Sequence, residues 1–218
     1  LCGERLQSIV AEVLSSFFAD GGHRGKLDPA LRSALAAAIT RRIEDLLEIE
    51  RKRPQDITIV AVEGTSLDPA FTAPTEIELG GLRVKLRCDR IDRLPDRSLA
   101  VIDYKTGQAR GPGRGGELAD PQLPLYALLD PGIRAVVYAR LDGGTDRPVF
   151  SGVAAERDWF PNDRIGPPKD ASEGWFENLR HHWQQALQAV AQAIAQGPFP
   201  ATPRPGVCRR CELAALCR

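Results

Sequence analysis

The 218-residue sequence contains no methionine, carries no net charge of either sign and has no long apolar run. No stretch approaches the ~20 consecutive apolar residues that span a bilayer. No basic-then-apolar leader opens it either, so neither membrane insertion nor secretion is indicated and a cytoplasmic location is expected. Lys and Arg number 29 and Asp and Glu number 29. That balance excludes a globally basic polyanion binder and leaves any such contact to a local patch. The lack of methionine, with a start at Leu1, suggests a piece of a longer protein. What is present is an ordinary globular composition, 43% hydrophobic and 27% charged, which argues against disorder. The length suits one domain, or one domain with a small appendage. Five cysteines are an odd number and cannot all pair with one another.

Residues 4–18 place Leu6, Ile9, Val10, Val13, Leu14, Phe17 and Phe18 at helical spacing. Asp28-Pro29 predicts the start of a second helix, running to about Arg53 before Pro54. Strands are expected over 57–63, near Ile77 after which Gly80-Gly81 turns the chain, and over 82–91. In the last, Leu82, Val84, Leu86 and Cys88 alternate with Arg83, Lys85, Arg87 and Asp89. The turn Pro95-Asp96-Arg97-Ser98 then leads into a strand over 99–105, making a β-hairpin. A glycine-rich basic loop over 107–116, a helix over 122–129, strands over 135–140 and 149–153 and a polar loop over 162–173 follow. Residues 175–196 form a long helix with Leu179, Trp183, Leu187, Val190 and Ile194 on one face. This order fits a mixed α/β fold with a cysteine-bearing tail.

The hairpin carries the chemistry. Residues i and i+2 of a strand share a face, so Asp103 and Lys105 project together, with Asp89 on the charged face of the preceding strand. Two convergent carboxylates can hold Mg²⁺, and a neighbouring lysine can orient metal-held water or stabilise charge on a phosphate. An Asp-x-Lys on a strand is more often a solvated salt-bridged edge. The apolar run Ala100-Val101-Ile102 favours the catalytic reading here, because it carries the charged groups to the end of a buried strand.

Three segments resemble the RecB/AddB-type nuclease domain of the PD-(D/E)XK superfamily: Cys88-Asp89-Arg90-Ile91-Asp92-Arg93-Leu94, Val101-Ile102-Asp103-Tyr104-Lys105-Thr106-Gly107 and Asp120-Pro121-Gln122-Leu123-Pro124-Leu125-Tyr126. Two more, Leu47-Glu48-Ile49-Glu50-Arg51-Lys52-Arg53-Pro54 and Cys208-x2-Cys211-x5-Cys217-Arg218, are similar to a bacterial subgroup described as probable DNA-repair nucleases. The resemblance implies a restriction-endonuclease-like mixed sheet flanked by helices over residues 1–198, followed by a cysteine-rich tail over 199–218. It further implies that Asp89 and Asp103 bind Mg²⁺ or Mn²⁺, with the Tyr104 carbonyl as backbone ligand, and that Lys105 positions the attacking water. Gln122 and Tyr126 match the family's Gln-x-x-x-Tyr, and at i, i+4 they share a helical face. Glu63 stands where the family often has an acidic metal ligand or support. Gln7 stands in place of the histidine of the family's Gly-x-x-x-His, as a neutral and weaker oxygen ligand. His23, His181 and His182 do not substitute for it by position.

Closely spaced thiolates such as Cys208, Cys211 and Cys217 bind metal in intracellular proteins and need a fourth ligand, for which Cys2 and Cys88 are both available. Spacing leaves iron–sulfur and zinc open. The resemblance implies a 4Fe-4S cluster with Cys2 as the distant ligand, leaving Cys88 in the core.

Arg83, Lys85 and Arg87 would share the face of Asp89, with Arg90 and Arg93 flanking it and Arg110 and Arg114 on the glycine-rich loop. Such a strip suits phosphate tracking without base readout. Pairing with acids such as Asp92 and Asp96 is the competing reading. The expected function is a metal-dependent nuclease acting on single-stranded DNA or DNA ends in bacterial repair or recombination, at the nucleoid and beside a helicase-like region. The alternative is a catalytically inactive, Fe–S- or Zn-stabilised DNA-binding scaffold.

Overall fold

A computed structural model describes residues 3–19, 28–107, 118, 120–141 and 147–197. The glycine-rich loop and the cysteine tail, with Cys2, Cys208, Cys211, Cys217, Arg110, Arg114 and His23, lie outside the described residues.

Two helices open the fold, α1 (Gly3–Ala19) and α2 (Pro29–Glu50). Asp28 caps α2 by accepting the backbone N–H of Ala30 at 2.8 Å, with Pro29 preset for the first turn. Leu6, Val10 and Leu14 of α1 are buried against Ala36, Ile39 and Ile43 of α2. Of the rest of the expected apolar stripe, Phe18 is half-buried against them and Ile9, Val13 and Phe17 are exposed.

The main sheet has six strands in the order β2-β1-β5-β6-β7-β8. These are β1 (Thr58–Val62), β2 (Thr65–Ser66), β5 (Arg90–Arg93), β6 (Leu99–Lys105), β7 (Ile133–Arg140) and β8 (Val149–Ala154). All neighbours are antiparallel except β6 and β7. Their parallel pairing requires a crossover, and α3 (Gln122–Ala127) lies on it. β6 and β7 are buried along most of their length, so Ala100, Val101, Ile102 and Ala135–Ala139 form the centre of the core. Strands covered on both faces read as continuous apolar runs, which explains why these two are so plain in the sequence.

The expected strand over 82–91 is broken. β4 (Leu82–Lys85) pairs with β3 (Glu76–Leu79) in a separate two-stranded sheet, and only residues 90–93 join the main sheet. Between them, Cys88 and Asp89 accept the N–H groups of Gly64 and Glu63 at 3.1 and 2.9 Å. The side-chain alternation survives the break because it serves two cores. Leu82 and Val84 pack with Leu79, Leu187 and Ala191, whereas Cys88 is buried in the main core. The hairpin that holds the site is therefore β5–β6.

The long helix α4 (Trp175–Gln196) packs on α3, β3 and β4. Phe176, Leu179, Trp183, Leu187 and Ala191 are its buried row. Val190 and Ile194, expected on that face, are 43% and 53% exposed, since the i+4 row from Leu187 continues to Ala191. Gly80 brings the small sheet against this helix. Its φ is +54°, and a Cβ there would lie 2.6 Å from the Gln192 nitrogen. No helix among the described residues is long and apolar enough to cross a membrane.

Candidate active site

Asp103, Tyr104 and Lys105 close β6, and the pleat sends Asp103 and Lys105 to one face and Tyr104 to the other. On the first face, Lys105 Nζ lies 2.7 Å from Asp103 Oδ2. Gln122, the first residue of α3, bridges the pair. Its Oε1 accepts from Lys105 Nζ at 2.7 Å, and its Nε2 donates to Asp103 Oδ1 at 2.6 Å and to Tyr126 Oη at 2.9 Å. Tyr126 donates in turn to the Arg87 carbonyl at 3.0 Å, with Asp103 Oδ1 3.3 Å away. Asp89 enters from the segment before β5, where its Oδ2 accepts the Tyr104 N–H at 2.9 Å.

Asp103 is 2% exposed. Burial, together with the charge of Asp89, raises its carboxyl pKa despite the opposing pull of Lys105. Asp103 Oδ2 is buried, and the Lys105 ammonium at 2.7 Å is the cation that faces it. Burial also raises the Tyr126 phenol, keeping its proton in place for hydrogen bonding. The Cys88 thiol is pushed up to about 12, by burial first and then by Asp89 and Asp103, which makes it an inert core residue.

The opposite face holds a charge network in which Asp92, the partner of the competing reading, is joined by Glu50 and Arg53. Arg90 reaches Asp92 at 2.6 Å, Glu50 at 2.9 Å and the Tyr104 hydroxyl at 3.2 Å. Arg53, just beyond α2, pairs with Asp92 at 2.7 Å and Glu50 at 3.1 Å and lies 4.4 Å over the Phe160 ring. Burial works to lower the Arg90 pKa, but Asp92 and Glu50 outweigh it and hold the guanidinium above its ordinary value. Arg90 is thus a half-buried structural cation rather than a flank of the site, and Arg93 pairs with Asp68 at 2.7 Å. The one signal in sequence was the quoted run from Leu47 to Pro54, which contains both Glu50 and Arg53.

The remaining expected residues lie apart. Glu63 sits beyond β1 at φ +51°; its backbone N–H holds the Asp89 carbonyl while its exposed carboxylate is 3.4 Å from Arg87. Gln7 lines a cleft of about 510 Å³ between α1 and α2 with Thr40, Arg41 and Glu44, and neither Asp89 nor Asp103 is among its walls. Arg83 and Lys85 are exposed on β4, directly across from Glu78 and Glu76. They therefore do not continue the hairpin that carries the carboxylates. His181 and His182 are exposed on α4. Among the described residues, no three His, Cys, Asp or Glu side chains gather as a ligand set, and Asp89 and Asp103 stand as a pair.

The model of the PD-(D/E)XK nuclease superfamily matches residues 1–218, and the chain belongs to that superfamily. Its members typically use divalent cations such as Mg²⁺, so membership points to metal-dependent nuclease activity. No curated protein sequence matches the chain. Among solved structures it is similar to the crystal structure of SSO0001, at 18% identity over 98% of this chain and 94% of that one, with a TM-score of 0.33. A score that low carries no structural argument.

Proposed function

We propose that the chain is a Mg²⁺- or Mn²⁺-dependent deoxyribonuclease of the RecB/AddB type, hydrolysing phosphodiester bonds in single-stranded DNA or at duplex ends during repair or recombination. The observation that carries this reading is the closed set of contacts among Asp103, Lys105 and Gln122, at 2.7, 2.7 and 2.6 Å. A carboxylate whose pKa is raised by burial and by a second carboxylate beside it suits a hard cation that prefers oxygen ligands. Asp89 and Asp103 would hold it, with the Tyr104 carbonyl as a third protein oxygen. Bound there, such a cation supplies Lewis-acid polarisation and a more acidic water.

The chain's own residues do the rest. Gln122 and Tyr126 engage Oδ1 of Asp103, and Lys105 faces Oδ2, so the carboxylate is held in one orientation. Lys105, ion-paired with Asp103, acts as a donor rather than a base, orienting water and countering charge that builds on the phosphate. In the reaction a water oxygen bonds to phosphorus and gives a proton to solvent, while the bond from phosphorus to the departing sugar oxygen breaks and that oxygen takes a proton from solvent, leaving as the hydroxyl. Arg83, Lys85 and Arg87, with Arg110 and Arg114 of the glycine-rich loop, supply phosphate contacts that track the strand without reading bases.

The spacing of Cys208, Cys211 and Cys217 supports a metal site, and the resemblance to the RecB/AddB type supports Cys2 as fourth ligand of a 4Fe-4S staple that closes nearly the whole chain into one loop. Iron and sulfide in the purified brown protein would support it, whereas zinc in a colourless one would replace it. A helicase-like region of the same or a partner chain would deliver the strand. One observation favours a second reading, an inactive DNA-binding scaffold: Gln7 replaces the family's histidine and lies in the α1–α2 cleft. Labelled linear single strands, blunt duplexes and closed circles, each incubated with Mg²⁺ or Mn²⁺, decide between the two. Loss of the linear substrates supports the nuclease, and binding of all three without cleavage supports the scaffold.

A further inference from the structure

We propose that Asp120 is a positioning residue of this site, its carboxylate joining the first turn of α3 to β7 and so fixing the side chain of Gln122 between Asp103 and Lys105. The inference rests on the nuclease reading above. Tyr138 lies fully buried in β7, opposite Asp103 in the parallel register. A buried phenol needs an acceptor, and Asp120 Oδ2 provides it at 2.7 Å. The other oxygen, Oδ1, accepts the backbone N–H of Gln122 at 3.1 Å.

That second bond matters because α3 has six residues and no side-chain cap at Pro121. A helix of this length does not hold itself, so its orientation is set by what anchors its first turn. Asp120 ties that turn to the central strand pair. Both ends of its carboxylate also lead to Lys105: one through the Gln122 amide, the other through the Tyr138 ring, whose centroid lies 5.1 Å from Nζ. Burial, with Asp120 beside it, raises the Tyr138 pKa, so the proton stays on the phenol and the strap persists across the neutral range.

The test compares Asp120→Asn, Asp120→Ala and the double variant Asp120→Ala/Tyr138→Phe with the unaltered chain. It reads kcat and KM on labelled single-stranded DNA with Mg²⁺, and the side-chain amide resonance of Gln122. Asp120→Ala is expected to lower kcat about tenfold with KM within about twofold, as a misplaced group does. Its Gln122 amide should move to the position of a free glutamine. Asp120→Asn, which can still accept the Gln122 N–H, is expected to restore kcat to within about threefold and to keep the amide in place. If Asp120→Ala does not fold, the double variant, which leaves no orphaned hydroxyl, is read against the same expectations. An unmoved Gln122 amide in the alanine variants, or a loss in Asp120→Asn equal to that in Asp120→Ala, overturns the proposal. An unaltered chain that cleaves no DNA overturns the nuclease reading alone, and the amide resonance still decides the role of Asp120.

Discussion

Asp103 and Lys105, two positions apart on β6, form an ion pair of 2.7 Å in which the carboxylate is buried and the ammonium half-exposed. The pair is an electrostatic compromise: Lys105 favours the charged carboxylate, yet burial and the neighbouring Asp89 still raise its pKa.

A group whose folded pKa is raised binds its proton more tightly in the folded state, so it opposes stability as it ionises. For Asp103 that loss begins as pH climbs through the ordinary value of 3.8 and is complete above the raised one. Asp103→Asn, which cannot ionise, is therefore expected to melt higher than the unaltered chain in metal-free neutral buffer. The gap should close as pH falls toward 3.8. Thermal melts in EDTA across this range check it, and Mg²⁺ should raise the melting temperature of the unaltered chain alone.

The network behind the site makes a separate claim. Asp92 is fully buried and serves both Arg53 and Arg90. Asp92→Ala takes the buried carboxylate from Arg53 and Arg90 and leaves both to Glu50, and is expected to cost about 3 kcal/mol, the low end of the penalty for breaking a buried pair on one side. Urea unfolding of the full chain measures it. A loss under 1 kcal/mol, the range of an exposed pair, would show that the arginines find water instead.

Cys88 should be silent toward alkylation. At 2% exposure and with its thiol pushed up to about 12, almost no thiolate exists at neutral pH. Peptide mapping after iodoacetamide treatment is expected to find Cys88 unmodified in the native chain and fully modified in denaturant.

Much of this arrangement was legible in the sequence, for identifiable reasons. β6 was plain because the apolar run Ala100-Val101-Ile102 favours a buried strand that delivers Asp103 and Lys105 to its end. Gln122 and Tyr126 were paired correctly because i, i+4 spacing fixes a shared helical face. The break after Lys85 was not legible, since Leu82, Val84, Leu86 and Cys88 keep a single period while facing two different cores. For Arg90 the competing reading, pairing with Asp92, holds, but its second partner Glu50 was not legible because it lies 40 positions away. Asp120 went unnoticed for a related reason. It precedes a short helix like any capping residue, and its second partner, Tyr138, is concealed within a strand that reads as core.

The most direct test of the central claim is cleavage of labelled single-stranded DNA by the full chain in Mg²⁺ or Mn²⁺, beside Asp103→Ala and Lys105→Ala. The account predicts metal-dependent cleavage that EDTA abolishes and that falls at least about a hundredfold in each variant, with both variants still folded. Cleavage at the unaltered rate in either variant would contradict it.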